Sequence, residues 1–324
     1  MVEDFRQSFW RDAFALKGAV TLAVSERVLI FGLISLVICL IDYRLHPTIT
    51  RLGIEVAPYE VAGAALALLL LLRTNAGYDR WWEGRKLWGG ITNQSRNLAI
   101  AALAYGPDDS DWRDRVVRWT AAFAHAARHS LRGEREVPKI AALLGDEAAR
   151  EVAASEHMPG FVALTVARIL REGCDRLEMD RFGFLQADRA RAELIDLIGG
   201  CERIRKTPLP RAYAINIRRF ITLFLTTLPF ALLTRAGGWL TTLVVVLVAY
   251  PILALDQIGN ELQNPFDRQN LGHLPLDEIC ETIERNVLAL RDADPGRATV
   301  DGRGPGPLKS GSGHEIRQER WHES

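Results

Sequence analysis

His125 and His129 stand at i, i+4, the spacing with which two imidazoles on one helix face can reach a single ion. A zinc protease of the HExxH kind would place Glu directly after the first histidine. Here Ala126 follows His125, and no third ligand stands at a matching distance. The pair therefore reads as a solvated or subunit-contacting helix face, and no metal is expected. GxGxxG, P-loop and nucleophile-elbow patterns are absent, so neither a cofactor nor a catalytic residue is implied. Cys39, Cys174, Cys201 and Cys280 have no CxxC spacing and read as reduced, buried thiols.

The densest chemistry lies in residues 73–96, RTNAGYDRWWEGRKLWGGITNQSR, directly after the apolar run 64–72. A soluble core helix would spread such residues around itself. Stacked at one end of an apolar stretch, they mark a membrane face, where Trp and Tyr sit at headgroup level and Arg keeps its charge in water. Arg80 and Glu83, at i, i+3, can pair on the helix surface. Trp81, Trp82 and Trp88 can pack against neighbouring helices. Asn75 and Gly77 let helices approach closely. Asp256 and Glu261, just below a second apolar stretch, can attract cations or pair with nearby Arg.

The elements that must hold these residues are four apolar helices. Membrane spans are expected at about 25–42, 54–72, 220–234 and 238–255, each near the roughly 20 residues that a bilayer needs once edge residues are counted. The last two are parted only by Thr-Arg-Ala-Gly-Gly, a helical hairpin turn. Charge is segregated away from them: 40 Lys and Arg balance 40 Asp and Glu, so no basic field calls for nucleic acid. Basic residues gather before span one (Arg6, Arg11, Lys17, Arg27), after span two (Arg73, Arg80, Arg85, Lys86) and before span three (Arg211, Arg218, Arg219). The loops at 43–54 and 234–238 carry only Arg44, Arg51 and Arg235. Both termini and the long middle region are therefore expected in the cytoplasm. The charged start MVEDFRQSFWRD gives no cleavable signal.

The middle is helical by period. Residues 109–132 place Trp112, Val116, Trp119, Phe123, Ala126 and Ala127 at helical spacing, with Asp109, Ser110 or Asp111 as cap. Further helices are expected at 137–154, 159–173, 187–205 and 276–291, with a break at Pro208 and Pro210. From about 292 to 324, Gly, Pro, Ser and charge predict a flexible tail. The whole reads as an all-α membrane protein over 1–291, its cytosolic helices at about 73–219 and 256–291.

Three motifs, RTNAGYDRWWEGRKLWG, GGCERIRKTPLPRAYAI and ELQNPFD, resemble the bacterial branch of the bestrophin family, in its order and over most of 8–291. The matching positions are Arg73, Asn75, Tyr78, Arg80, Trp81, Trp82, Glu83, Arg85, Trp88, Glu202, Pro208, Pro210, Glu261, Asn264, Pro265 and Phe266. The resemblance implies a homopentameric channel of the bacterial inner membrane, four spans per subunit, passing small monovalent ions passively. Its partners would be its own copies, the lipid bilayer and the permeant ions.

Carried over by position, the resemblance puts the pore neck at Ala64, Leu68 and Leu72. The i, i+4, i+8 spacing keeps them on one stripe, because each step of four overshoots a full turn by only about 40°. Five copies would make apolar rings that gate by dewetting. A lipid-facing leucine run is the competing reading. Relatives place bulkier side chains at the outermost ring, so Ala64 implies a wider outer neck. The cytosolic aperture falls at Phe182, with Phe184 and Leu185 as neighbours, against an ordinary core Phe. Animal relatives follow Asn-Pro-Phe with an acidic, calcium-binding run. Here DRQNLGHLPLD follows, with Asp267 and Asp277 its only acids, too few for calcium. Animal relatives favour anions and bacterial ones can favour cations, and apolar rings carry no charge to decide between them. A membrane-anchored enzyme would need converging polar groups in 90–219, and a carrier would need paired inverted repeats.

Overall fold

The computed structural model describes residues 20–45, 55–176, 179–233 and 238–293, and its regular structure among these is helical. The expected tail beyond 293, the start of the chain and most of the 234–238 turn lie outside the described residues, as do Arg6, Arg11, Lys17, Arg51 and Arg235. The helices are α1 Thr21–Leu45, α2 Ala57–Tyr105, α3 Ser110–Arg132, α4 Pro138–Leu144, α5 Asp146–Ala154, α6 Met158–Arg176, α7 Arg181–Lys206, α8 Arg211–Leu232, α9 Gly238–Glu261 and α10 Leu276–Asp292.

Among the described residues, α1, α2, α8 and α9 are long and apolar enough to cross a membrane. Each helix outruns its expected span at one end or both, although α2 starts at Ala57 rather than 54 and α8 stops at Leu232 rather than 234. The charge-based limits marked where the apolar surface stops, while backbone hydrogen bonding continues. The extreme case is α2, whose 49 residues extend about 74 Å at ~1.5 Å per residue. Only its first third is apolar, so one unbroken rod joins the membrane part to the cytosolic part.

Two cores result. In the membrane part Val24, Leu66, Leu70, Ile221, Leu225 and Val245 are buried together. There α1 packs along α9, and Gly32 permits the approach: a Cβ on it would stand 2.9 Å from Val246 Cγ2. The larger cytosolic core gathers Trp88, Trp112, Phe123, Leu194 and Phe266 from α2, α3, α7 and the loop after α9. It is assembled by α7 lying along α2 and by α3 packing between α6 and α10.

Local signals set the boundaries. Asp109 accepts from Trp112 N at 2.7 Å to cap α3, and Gly133, at φ 72°, ends it. The expected 137–154 helix is two helices, because Gly145 sits at φ 88° between α4 and α5. The expected 187–205 helix begins six residues earlier. Asp180 caps it through the amides of Phe182 and Gly183, so Phe182 stands in the first turn of α7 rather than ahead of it.

Candidate functional site: the long helix and its junction

On α2 the two faces differ. Leu66, Leu70, Arg73, Gly77, Gly84, Trp88 and Ile91 are buried against the rest of the chain. Ala64, Leu68 and Leu72 lie on the opposite side and are exposed, Leu68 at 57% and Leu72 at 51%. The exposed face turns polar immediately inward of Leu72, with Asn75, Tyr78, Asp79, Arg85 and Lys86. Phe182 is 81% exposed and so stands outside the core of its own subunit. Its neighbour Leu185 is also exposed, whereas Phe184 is half-buried against the cytosolic core.

Just inward of Leu72 the helix is locked. Arg73 is 1% exposed and pairs with the buried carboxylate of Asp256 on α9. Asp256 also takes Arg218 of α8 at 3.2 Å. Three spans thus meet at one carboxylate, at the depth where a charge must be paired or hydrated. Asp256 is therefore spent on arginines and is not a free cation attractor, and Glu261 accepts from Gln257 at 3.0 Å. Gly77 lets α2 touch α9: a Cβ there would stand 3.0 Å from Leu262 Cβ and 3.3 Å from Gly259 O.

The three motifs, far apart in the chain, meet one turn further on. Arg80 does not pair with Glu83 as its spacing suggested. Its guanidinium donates to Gln263 O at 3.1 Å, to Thr207 O at 2.9 Å and to Ile204 O. One side chain therefore ties α2 both to the end of α7 and to the segment after α9. Terminal carbonyls of helices lack intrahelical partners, and a forked donor satisfies several of them at once. Glu83 instead pairs with Arg203 at 2.7 Å. Trp81 Nε1 donates to Gly272 O at 2.7 Å. Phe266 is fully buried, and Gly84 makes room for it: a Cβ there would stand 3.1 Å from Pro265 Cγ and 3.3 Å from Phe266 Cε1. Asn264 Oδ1 accepts from Phe266 N at 3.3 Å. Glu202 takes His157 at 2.8 Å. Pro208 precedes α8, and Pro210 stands at its start. Trp88 is buried, while Trp82, Arg85, Asn75 and Tyr78 are exposed.

The histidines need a correction. Both are buried, not on a solvated face. His125 Nε2 lies 2.8 Å from Glu284, and His129 Nδ1 lies 2.9 Å from Glu134. Burial, reinforced by the Arg128 guanidinium, pushes His129 down to about 4, and burial lowers His125 as well. The imidazoles point to separate carboxylates, so they do not form a metal pair. All four cysteines are free, and burial raises Cys201 and Cys280 to about 12. Cys174 is only half-buried.

Sequence reasoning missed the Arg73–Asp256–Arg218 lock as a unit. The signal was present: Asp256 is the first acid met at the inner end of an otherwise apolar helix, and such a group needs a partner.

A four-span all-α membrane protein, with a helix continuing from the bilayer into a helical cytosolic body, is the class that this architecture defines. Residues 1–289 match the family model described as Bacterial/Fungal Bestrophin protein. The chain belongs to that family. It is 31% identical over 90% of its length to a Nostoc sp. protein, covering 94% of that relative. It is 33% identical over 89% to Escherichia coli (strain K12) YneE, covering 93% of it. Both relatives are named voltage-dependent anion channel-forming proteins. Among solved structures, a bacterial bestrophin homologue from Klebsiella pneumoniae superposes with a TM-score of 0.75 at 31% identity, covering 83% of this chain and 98% of that one.

Proposed function

We propose that this protein is a passive ion channel of the bacterial inner membrane, a homopentamer with both termini cytoplasmic. Small monovalent ions pass an apolar neck at Ala64, Leu68 and Leu72, then a cytosolic aperture at Phe182. One observation carries the pathway: the stripe 64, 68, 72 lies at the middle of the face of α2 that its own chain leaves uncovered, with Val61, Ala65, Ala67 and Leu71 beside it, and that face turns polar where the apolar span ends. A buried face packed on the rest of the subunit and a bare face opposite is what a helix needs to line an axis between copies. Stacked apolar rings bind water weakly, so a small change in radius switches them between dry and conducting. The exposed ring of Phe182 would form a second narrowing. The names of the relatives give anions as the expected cargo.

The proposal is tested by mass and by current. Detergent-extracted protein should run as a pentamer by mass photometry. In a planar bilayer under asymmetric salt, the reversal potential should follow the permeant monovalent ion, with chloride expected. A stable monomer or dimer as the main species, or bilayers without current, would defeat it.

A further inference from the structure

We propose that a cytosolic pocket between the ends of α3 and α7 and the loop after α9 binds a small oxyanion of the phosphate or carboxylate class. The cavity is about 400 Å³ and is lined by Arg132, Arg205 and Arg268, with Asn264, Glu134 and Asp267 beside them. It is separate from the neck and from Phe182, and its occupancy can be read without any current.

The central observation is Arg132. Its side chain is 3% exposed. Nη1 donates to both oxygens of Asp277, at 3.0 and 2.9 Å. Nε and Nη2 are buried and have no partner among the described residues. These two nitrogens share one edge of the guanidinium plane, the edge that grips two oxygens of a carboxylate or phosphate side by side. Leaving charged donors buried and unpaired is costly, so an arginine held this way at the wall of a polar cavity is a group in want of an acceptor, reached by a small shift of its side chain.

The charge around it agrees. Asp277 is shared among Arg128 at 2.7 Å, Arg132 at 2.9 Å and Arg268 at 3.8 Å. One carboxylate thus answers three guanidinium groups. Among the described residues, Arg205 is held only by a backbone carbonyl, Ser130 O at 3.0 Å. Two acids also line the pocket: Glu134, 2.9 Å from the uncharged His129, and Asp267, whose Oδ1 accepts from Gln269 N at 3.0 Å. Four arginines therefore face three carboxylates, and an incoming anion would restore balance. The loop carrying Asn264 and Arg268 is fixed by Asn270, which donates to Glu261 O and Asn264 O at 3.2 and 2.9 Å. The arginine side chains are thus mounted on a folded frame.

The probe is inorganic phosphate, titrated into purified full-length protein by calorimetry at constant ionic strength. Saturable binding is expected, with chloride failing to compete at equal concentration. Arg205→Gln and Arg268→Gln, both at exposed side chains, should each weaken it severalfold, and the double variant at least tenfold. Asp267→Asn, which removes a repelling carboxylate, should tighten it severalfold. Arg189→Gln, on a different cleft, should leave it unchanged. Running the titration in zwitterionic and in anionic lipid nanodiscs identifies the natural source. Loss of phosphate binding only in the anionic discs means that a lipid headgroup holds the site, and equal binding means a soluble anion. Absence of saturable binding in zwitterionic discs, or binding that the double variant retains in full, would overturn the proposal.

Discussion

Asp256→Ala should be among the most damaging single changes in the membrane part, more so than Arg73→Met. Both partners are sealed: the side chains are 1% exposed for Arg73 and 3% for Asp256. Arg73 Nε and Nη2 have no partner among the described residues. Removing the carboxylate strands a buried guanidinium, which costs about 3–5 kcal/mol. Removing Arg73 leaves Asp256 with Arg218 at 3.2 Å, a half-exposed arginine that still reaches it. That loss is closer to one charged hydrogen bond, about 1.5–3 kcal/mol. Replacing both by apolar groups, Arg73→Met with Asp256→Leu, should recover most of the stability, because a buried pair exchanged for packed hydrocarbon is often near neutral. The assay is thermal unfolding of the purified protein in detergent. The Asp256→Ala midpoint should fall on the order of 10 °C, and the double variant should lie well above it. If Asp256→Ala melts with the parent, or Arg73→Met is the worse of the two, the lock does not carry the charge assigned to it.

Phe182→Ala should leave the melting temperature near the parent's, since the ring is 81% exposed in the subunit, while conductance rises or discrimination by ion size changes in bilayer recordings. Stability should fall with acid between about pH 6.5 and 4. His129 is held near 4 when folded against 6.5 when free, so the unfolded chain binds the extra proton, and stability complete above the free value is lost as pH drops through the folded one. The groups facing it are Arg128, Glu134 and His125, and His129→Gln should flatten that part of a melting-against-pH curve. Micromolar calcium should not activate flux from liposomes, because Asp267 and Asp277 supply too few of the ~6–8 oxygens that calcium prefers. A large, saturable increase over chelator-buffered controls would place ligands elsewhere.

The architecture was legible because apolar length and the position of charge are local quantities. Residues 73–96 announced a helix leaving the bilayer, and α2 runs unbroken through that junction. Exact ends were less legible: α1 and α9 continue past their apolar stretches because helix formation does not stop where hydrophobicity does. Partner choice was the weakest link. Arg80 and Glu83 have ideal pairing distance along the helix, yet each finds a better partner 120 or more residues away, in Gln263 O and Arg203. His125 looked solvated because its acid, Glu284, lies 159 residues away, while His129's acid, Glu134, follows just past the end of its own helix. A surface spacing rule describes an isolated helix, and here the helices are covered.

The most direct measurement is single-channel conductance of Leu68→Ala and Leu72→Ala against the parent in reconstituted bilayers. Shrinking either ring lowers the dewetting barrier, so open probability or conductance should rise in both, further in the double variant, while Ala64→Phe should lower it. Since both leucines are exposed in the subunit, the pentamer should survive. Conductance unchanged in all of these variants, with the oligomer intact, would mean that the stripe faces lipid and that ions do not pass along it.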